Sequence, residues 1–547
     1  MRQQLPRHTR TLIAGAAACF FSVSAFGQTG QSVVPRTLPA AVVQGGETVR
    51  RLTVDEAVRT ALDQNLGIQI QRLDPQIQDE GVAQARSAWL PNFFSSFQKG
   101  SNNNPSISSL SGNSSNITSG SFGAGAGMNQ LLPWGGSYQF NLNSSRATTT
   151  DVSNFFNPQL NSRLNANYTQ PLLRNFSIDG VRQSVLTSKK TRDISDVNLR
   201  ATIVQTSRNV KNAYWDLVYQ IDNLKAAQQS LQLSQQSLKD NTRRVEIGTM
   251  APIDIVDAKA EVARNEEGVI LAQEAIEAAQ DNLRMLVFDP STSGFWTMRV
   301  EPTDTAPFQA QKIDTEAAVR SALDKRSDLH TAKLSIEQSD ISIRYFRNQI
   351  LPDINAQVNY QAAGLAGTQL EQVNFLDPAA VAARNIVAQR SFSAALGDVF
   401  RSSFPTWSIG FQVNYPLGLS TSKANLEKAK LQYQQSQTQL KSLQMQVAAQ
   451  VRSVARQVEA NQKRVESARA SRELAEQKLA AEEKKFAAGI RETFFVFQAQ
   501  RDLATARTAE VRAISDYNKS LVDFDAVQEI PVGGGSGQIT TVRPGGD

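Results

Sequence analysis

Apolar residues recur at every seventh position through two long stretches of this chain, and no other feature limits its architecture as much. Ile203, Val210, Leu217, Leu224, Leu231, Leu238 and Val245 form one unbroken row. Leu426, Tyr433, Leu440, Val447 and Val454 form a second, and Val451, Val458, Val465, Leu479 and Phe486 a further row with one gap. A strict heptad drifts around a straight helix, so it imposes a left-handed supercoil and demands partner helices. The rows predict helices over 181–247 and 421–487, each about 100 Å long at 1.5 Å per residue. No compact globular domain is that wide, so the chain is expected to build an elongated assembly.

The chain is also written twice. Ala57-Val58-Arg59-Thr60-Ala61-Leu62-Asp63 returns as Ala318-Val319-Arg320-Ser321-Ala322-Leu323-Asp324 at an offset of 261, and Leu90-Pro91 returns as Leu351-Pro352 at the same offset. Gly248 and Ala258 match Gly489 and Ala499 at an offset of 241, so the first half carries about 20 extra residues. Blocks that keep their order and nearly keep their spacing point to a duplication. The predicted layout is a 28–50 linker, a first repeat over 51–300, a connector at 301–312, a second repeat over 313–530 and a Gly-rich, polar, disordered 531–547 tail. Each repeat reads as a short helix, a second helix ending at Leu-Pro, a strand region (92–172 and 353–416), a long helix, a tight turn and a shorter helix (252–287 and 493–527). By length, Pro252–Val287 and Ser327–Ile350 sum to about one long helix, as do Thr493–Val527 and Ile68–Leu90. Stacking in those pairs would give four parallel rods. A plain coiled-coil scaffold would explain the heptads equally well, but not the strand regions.

Those regions alternate with period two. Trp407, Ile409, Phe411, Val413 and Tyr415 interleave with Thr406, Ser408, Gly410, Gln412 and Asn414; Ile354, Ala356, Val358 and Tyr360 interleave with Asp353, Asn355, Gln357 and Asn359. Leu160, Leu164, Ala166 and Tyr168 alternate with Asn161, Arg163, Asn165 and Asn167, as do Tyr138, Phe140 and Leu142 with Gln139, Asn141 and Asn143. Such segments fit barrel strands with an apolar exterior and polar interior; a half-buried soluble sheet gives the same pattern. Ser101–Ser119 and Ala363–Ser403 read as long loops. The first half also shows a strand at Phe122–Leu131, then a Pro133-Trp134-Gly135-Gly136 turn, with Asn92–Lys99 as a further candidate strand. The expectation is four membrane strands per copy, an extra first-half hairpin of unassigned position, and closure of the barrel by an oligomer.

The N-terminus favours export. Residues 1–10 are cationic, Thr11–Phe21 is a short apolar run, and Ala25 and Gly27 suit cleavage before Gln28, so 1–27 reads as a signal peptide; lipidation at Cys19 ranks second. Removing Arg2, Arg7 and Arg10 lowers 57 Lys+Arg to 54 against 51 Asp+Glu, which leaves little electrostatic case for nucleic-acid binding. Cys19 and His8 go with the leader, so the mature chain has no thiol and one imidazole, His330. Zinc fingers, Fe–S sites, thiol catalysis and disulfide frameworks are excluded, and no metal or other cofactor is expected. No acid or serine constellation surrounds His330, so the chain is not expected to be an enzyme.

With duplication, helices, strands, the Leu-Pro junctions and the turns at Gly248-Thr249-Met250-Ala251-Pro252 and Gly489-Ile490-Arg491 together, the chain resembles the TolC family of trimeric outer-membrane exit ducts over nearly all of its mature length. The resemblance implies an α+β fold: a tandem-duplicated protomer giving about four strands of a shared trimeric outer-membrane β-barrel plus a long α-helical coiled-coil periplasmic barrel. It also implies a homotrimer in outer-membrane lipid that docks, through a periplasmic adaptor protein, onto an inner-membrane pump of RND or ABC type. The substrates expected are small toxic molecules; the alternatives are a type I protein-secretion duct and, from a different class, a non-channel envelope scaffold.

At the tip the resemblance assigns roles residue by residue. Gly248, Thr249, Met250, Gly489 and Ile490 occupy the turns that contact the adaptor. Asp254 and Arg491 occupy positions that pair across or between copies to close the tunnel. Two departures stand out. Phe486 replaces a tyrosine, and Phe495 and Gln498 replace an aspartate ring that binds cations, which Asp254 and Asp257 only partly restore. Of Phe494, Phe495 and Phe497, two are expected in the hairpin core, and Phe495 is a candidate constriction.

Overall fold

The computed structural model describes residues 42–44, 47–106, 115–292, 294–306, 308–371, 384–415 and 420–529. The leader with Cys19, most of the 28–50 linker and the 531–547 tail lie outside the described residues. Strands β1 (Val42–Gln44) and β2 (Glu47–Leu52) precede helices α1 (Val54–Gln64) and α2 (Leu66–Ser87). Strands β3 (Asn92–Pro105), β4 (Asn116–Leu131), β5 (Ser137–Thr149) and β6 (Phe156–Pro171) lead to α3 (Gly180–Glu246), α4 (Ile253–Val287) and β7 (Arg299–Pro302). The second half runs α5 (Thr315–Lys325), α6 (Ser327–Gln349), β8 (Asp353–Leu370), β9 (Ile386–Arg390), α7 (Phe392–Phe400), β10 (Pro405–Asn414), α8 (Thr421–Ala487) and α9 (Thr493–Val527).

Helices α3 and α8 each hold 67 residues, hence about 100 Å. The duplicated heptapeptide is a short helix packed on the middle of each. Ala57, Val58 and Ala61 of α1 are buried with Val210, Tyr214, Leu217, Leu283 and Val300, and Ala318, Val319 and Ala322 of α5 with Leu329, Val447, Val451 and Val527. Both short helices are capped at equivalent positions. Thr53 and Glu56 form a reciprocal capping box, and Asp314 accepts from the N–H groups of Glu316 and Ala317.

The Tyr214 hydroxyl ties this girdle together. It lies 3.0 Å from the Leu52 carbonyl and 3.2 Å from the Asp304 carboxylate, and accepts from the Asp304 N–H at 3.1 Å. Burial pushes the phenol up to about 12. An unfolded tyrosine ionises near pH 10, so the folded state keeps a proton that the unfolded state loses, and stability should fall as pH rises from about 10 to 12. Tyr214→Phe should cost about 1–3 kcal/mol at neutral pH by leaving the Asp304 N–H without its acceptor, while the Leu52 carbonyl keeps Thr303 and the Asp304 carboxylate keeps the Val54 N–H as donors. It should also remove part of the alkaline loss, which denaturant melts at pH 8 and pH 11 would measure.

The rods are spliced differently from the length-based expectation. Helices α2 and α4 both pack on α3, whereas α6 and α9 both lie between α3 and α8. The Asn65 amide, at the head of α2, donates to the Leu286 carbonyl of α4 at 2.9 Å. The N–H and hydroxyl of Ser327, at the head of α6, donate to the Glu529 carboxylate beyond α9 at 2.9 and 2.6 Å. Thus α2 continues α4 and α6 continues α9, each within its own repeat. Length cannot choose between the pairings, because α4 and α9 both have 35 residues and α2 and α6 have 22 and 23. The capping chemistry at the junctions decides.

Above the helices lies one antiparallel sheet in the order β10-β8-β6-β5-β4-β3, with β9 beside the far end of β8. The hairpin of unassigned position is β3–β4, added at the sheet's edge in full register with β5. Parts of both segments read as loops belong to strands, and Phe392–Phe400 is helical. Cross-strand partners keep one parity throughout. Phe97, Ala124, Ser144, Ser162 and Gly364 share one face with Phe140, Leu164, Tyr360 and Trp407; the other carries Ser96, Asn143, Arg163, Asn165, Gln361 and Thr406. Helix α7 covers one corner of the apolar face, where a Cβ on Gly364 would run into the Ala395 carbonyl. Elsewhere that face is bare: Phe93, Phe97, Trp407, Ile409, Phe411 and Val413 are all exposed. A soluble sheet would bury such a surface, whereas a barrel wall presents it to lipid. No described helix is long and apolar enough to cross a membrane, so the sheet alone carries the membrane argument.

Candidate functional site at the helical tip

Two tight turns end the molecule opposite the sheet. Gly248 and Gly489 adopt φ of +78° and +74° with no atom near a built Cβ, so glycine is needed there for its backbone alone. Each turn closes by paired hydrogen bonds. The N–H groups of Gly248 and Thr249 donate to the carbonyls of Val245 and Arg244 at 3.0 and 2.9 Å, and those of Gly489 and Ile490 to Phe486 and Lys485, both at 3.0 Å. This αL-glycine closure satisfies carbonyls that end each long helix. Apolar side chains project from the turns: Ile247, Ile253, Val256, Ile490 and Phe494 are exposed, with Met250 half-buried between them.

Asp254 and Asp257 lie in the first turns of α4, and no ion pair joins either to Arg491 within one copy among the described residues. Arg491 instead sits with its guanidinium 4.3 Å over the Phe495 ring and its Nε 3.8 Å from Glu482. Glu482 is nearly buried and accepts from Lys485 at 2.7 Å; that hydrogen bond holds its carboxyl below the usual range. Phe486 receives the Arg244 guanidinium 4.5 Å over its face, a cation–π contact between α3 and α8.

Thr493, Val496, Phe497 and Gln500 form the buried stripe of α9 at helical spacing. Phe497 is therefore the one phenylalanine of the three in the hairpin, which corrects the expectation of two. Phe494 is exposed, Phe495 is at the margin of exposure, and their rings meet edge to face at 5.6 Å.

Gln498 belongs to a polar chain that the sequence did not announce. Its amide donates to Asp502 at 2.9 Å and accepts from Arg501 at 3.0 Å. Arg501 pairs across to Glu261 of α4 at 3.1 Å, and Lys478 of α8 pairs with Asp502 at 2.7 Å, holding that carboxyl below its usual range. Glu261 is 5% exposed and has one other cation, Arg264, at 3.0 Å. It lies one helical turn from Ala258, the residue shared by both repeats, and that spacing was the available sign that it faces inward. No described group of His, Cys, Asp or Glu is arranged to hold a metal. His330 is exposed, its Nε2 3.1 Å from the Asp324 carbonyl.

The family model described as "Outer membrane efflux protein" matches residues 148–287 and 318–527. None of the curated proteins matches the sequence. Among solved structures, the fold is similar to a membrane protein from Pseudomonas aeruginosa at 14% identity, covering 87% of this chain and 92% of that one with a TM-score of 0.62. CusC, from a study of channel formation, matches at 13% identity over 87% and 92% of the two chains with a TM-score of 0.61. The Campylobacter jejuni CmeC outer membrane channel matches at 13% identity over 87% and 85%, with a TM-score of 0.59.

Proposed function

The chain belongs to the outer membrane efflux protein family, and from that premise we propose that three copies form a passive exit duct whose helical tip docks onto a periplasmic adaptor protein and an inner-membrane pump of RND or ABC type. The family makes the chain an outer-membrane efflux channel and not an enzyme. The trimer, the partners and a cargo of small toxic molecules are our reading. The observation that carries it is the polarity of the molecule: a bare apolar sheet face at one end and, about 100 Å away, two glycine turns rimmed by exposed apolar side chains.

Asp254 and Arg491 are assigned to pairing between copies, and Gly248, Thr249, Met250, Gly489 and Ile490 to the adaptor. An exposed pair is worth about 0–1 kcal/mol, so three copies hold the gate by at most about 3 kcal/mol. Carrying a two-state gate from closed to open takes roughly 5.5 kcal/mol, and docking supplies the difference. In planar bilayers the purified protein should conduct weakly, and Asp254→Ala with Arg491→Ala should raise mean conductance about tenfold. Multivalent cations on the tip side should leave conductance nearly unchanged, because Phe495 and Gln498 stand where the aspartate ring would be. No conductance from wild type or variant would refute the duct; strong cation block would refute the residue assignment.

A further inference from the structure

The outer edges of the sheet point to a barrel wider than four strands per copy would make. Strands β3 and β10 each pair on one side only within the chain. Unpaired backbone N–H and C=O groups have no solvent to turn to inside a bilayer, so neither edge can stay open there. The two edges cannot close on each other within one copy either, since six strands fall below the eight of the smallest membrane barrels.

The edges fit one another in three respects. Strands alternate in direction without exception from β10 to β3, so β3 of one copy beside β10 of the next continues the antiparallel order. Phe93 and Phe97 of β3 and Ile409 and Phe411 of β10 are exposed on the same apolar face, so that face runs unbroken across the seam. The β3–β4 hairpin is also of membrane length: 14 and 16 residues reach about 45–55 Å, beyond the hydrocarbon core even when tilted.

We propose that the free edge of β3 pairs with β10 of a second copy, and that three copies of six strands thereby close an eighteen-stranded barrel. The proposal rests on the trimer proposed above. With strands about 4.8 Å apart and tilted about 40°, opposing backbones stand about 36 Å apart, against about 24 Å for four strands per copy. Barrels of this strand number leave an aqueous channel. Its wall is lined by uncharged amides, hydroxyls and glycines. Arg163 is the charged side chain on the inner face between the strand ends, among the described residues, with Asp353 at the tip-side mouth. Such a lumen suits polar cargo, with Arg163 of each copy as its fixed positive charge.

Cysteine cross-linking reads the seam directly, because Cys19 is the chain's one cysteine and Cys19→Ser removes it. Ser408→Cys would be paired in turn with Asn92→Cys, Ser96→Cys and Gln98→Cys, inner-face positions that sample the register. Adjacent antiparallel residues meet the separation a disulfide requires. Mild oxidation in membranes should convert most of the protein to covalent trimers at one register. Bonding of Ser408→Cys to Asn141→Cys or Asn143→Cys of β5 would overturn the seam, since β5 would then be the edge, yet leave the trimer standing. A trimeric mass in detergent without any β3–β10 adduct would overturn it too. Covalent dimers with a dimeric mass would overturn the count of eighteen. A monomeric mass with no adduct would refute the trimer itself.

Discussion

Ile409→Arg should abolish the assembled channel, while Ser408→Arg, one residue away on the same strand, should assemble nearly as well as wild type. Ile409 is exposed midway along β10 on the apolar face, partnered by Val358; Ser408 faces the other way beside Asn359. An arginine on the lipid face near the bilayer midplane costs about 2–4 kcal/mol, and three copies multiply that to about 6–12 kcal/mol. Facing the lumen, the same side chain stays in water. Gel mobility of unheated, membrane-extracted protein would report the assembled fraction for both variants. Equal outcomes would mean that the apolar face does not meet lipid.

Arg501→Ala should open the tip without any partner. Glu261 is buried and holds two cations, of which Arg264 is 62% exposed in its side chain; Arg501 reaches it from α9. Leaving a buried carboxylate short of its partner costs about 3 kcal/mol, at the lower end of such losses because Arg264 remains. Over three copies this is about 9 kcal/mol, which exceeds the roughly 5.5 kcal/mol that swings a two-state gate. The surface pair Asp254–Arg491 cannot reach that figure. Bilayer conductance of Arg501→Ala should therefore rise far more than that of the Asp254 and Arg491 variants, and Glu261→Gln with Arg501→Ala should restore much of the closed state. A closed Arg501→Ala channel would show that opening leaves α4 and α9 together.

What was legible in the sequence follows from how far each signal acts. Heptads are local in one helix, so the row from Ile203 to Val245 marks α3 directly, and the repeated Ala57–Asp63 and Ala318–Asp324 blocks mark its two short partners. Alternation exposed β5, β6, β8 and β10 because Tyr138, Leu164, Val358 and Ile409 contrast with neighbouring amides. The β3–β4 hairpin carried less of that contrast, so only parts of β3 and β4 read as strands and their place in the sheet stayed unassigned. Gly123, Gly125 and Gly127 give the inner face of β4 a loop-like composition, although Gly125 leaves room for the Asn143 side chain and Gly127 for those of Asn141 and Phe94. The splice of α2 onto α4 depends on Asn65 meeting Leu286, 221 residues on, and no local pattern carries such a contact. The tip divides the same way. The glycine turns are local, whereas Glu261–Arg501 joins residues 240 apart and becomes visible only when α4 and α9 are laid side by side.

The most direct test of the duct is an image of the detergent-extracted protein as single particles. The expected image is a three-fold particle with a detergent belt at one end and a hollow helical tube of about 100 Å tapering to a closed tip at the other. A beltless rod, or a particle without three-fold symmetry around a channel, would contradict it.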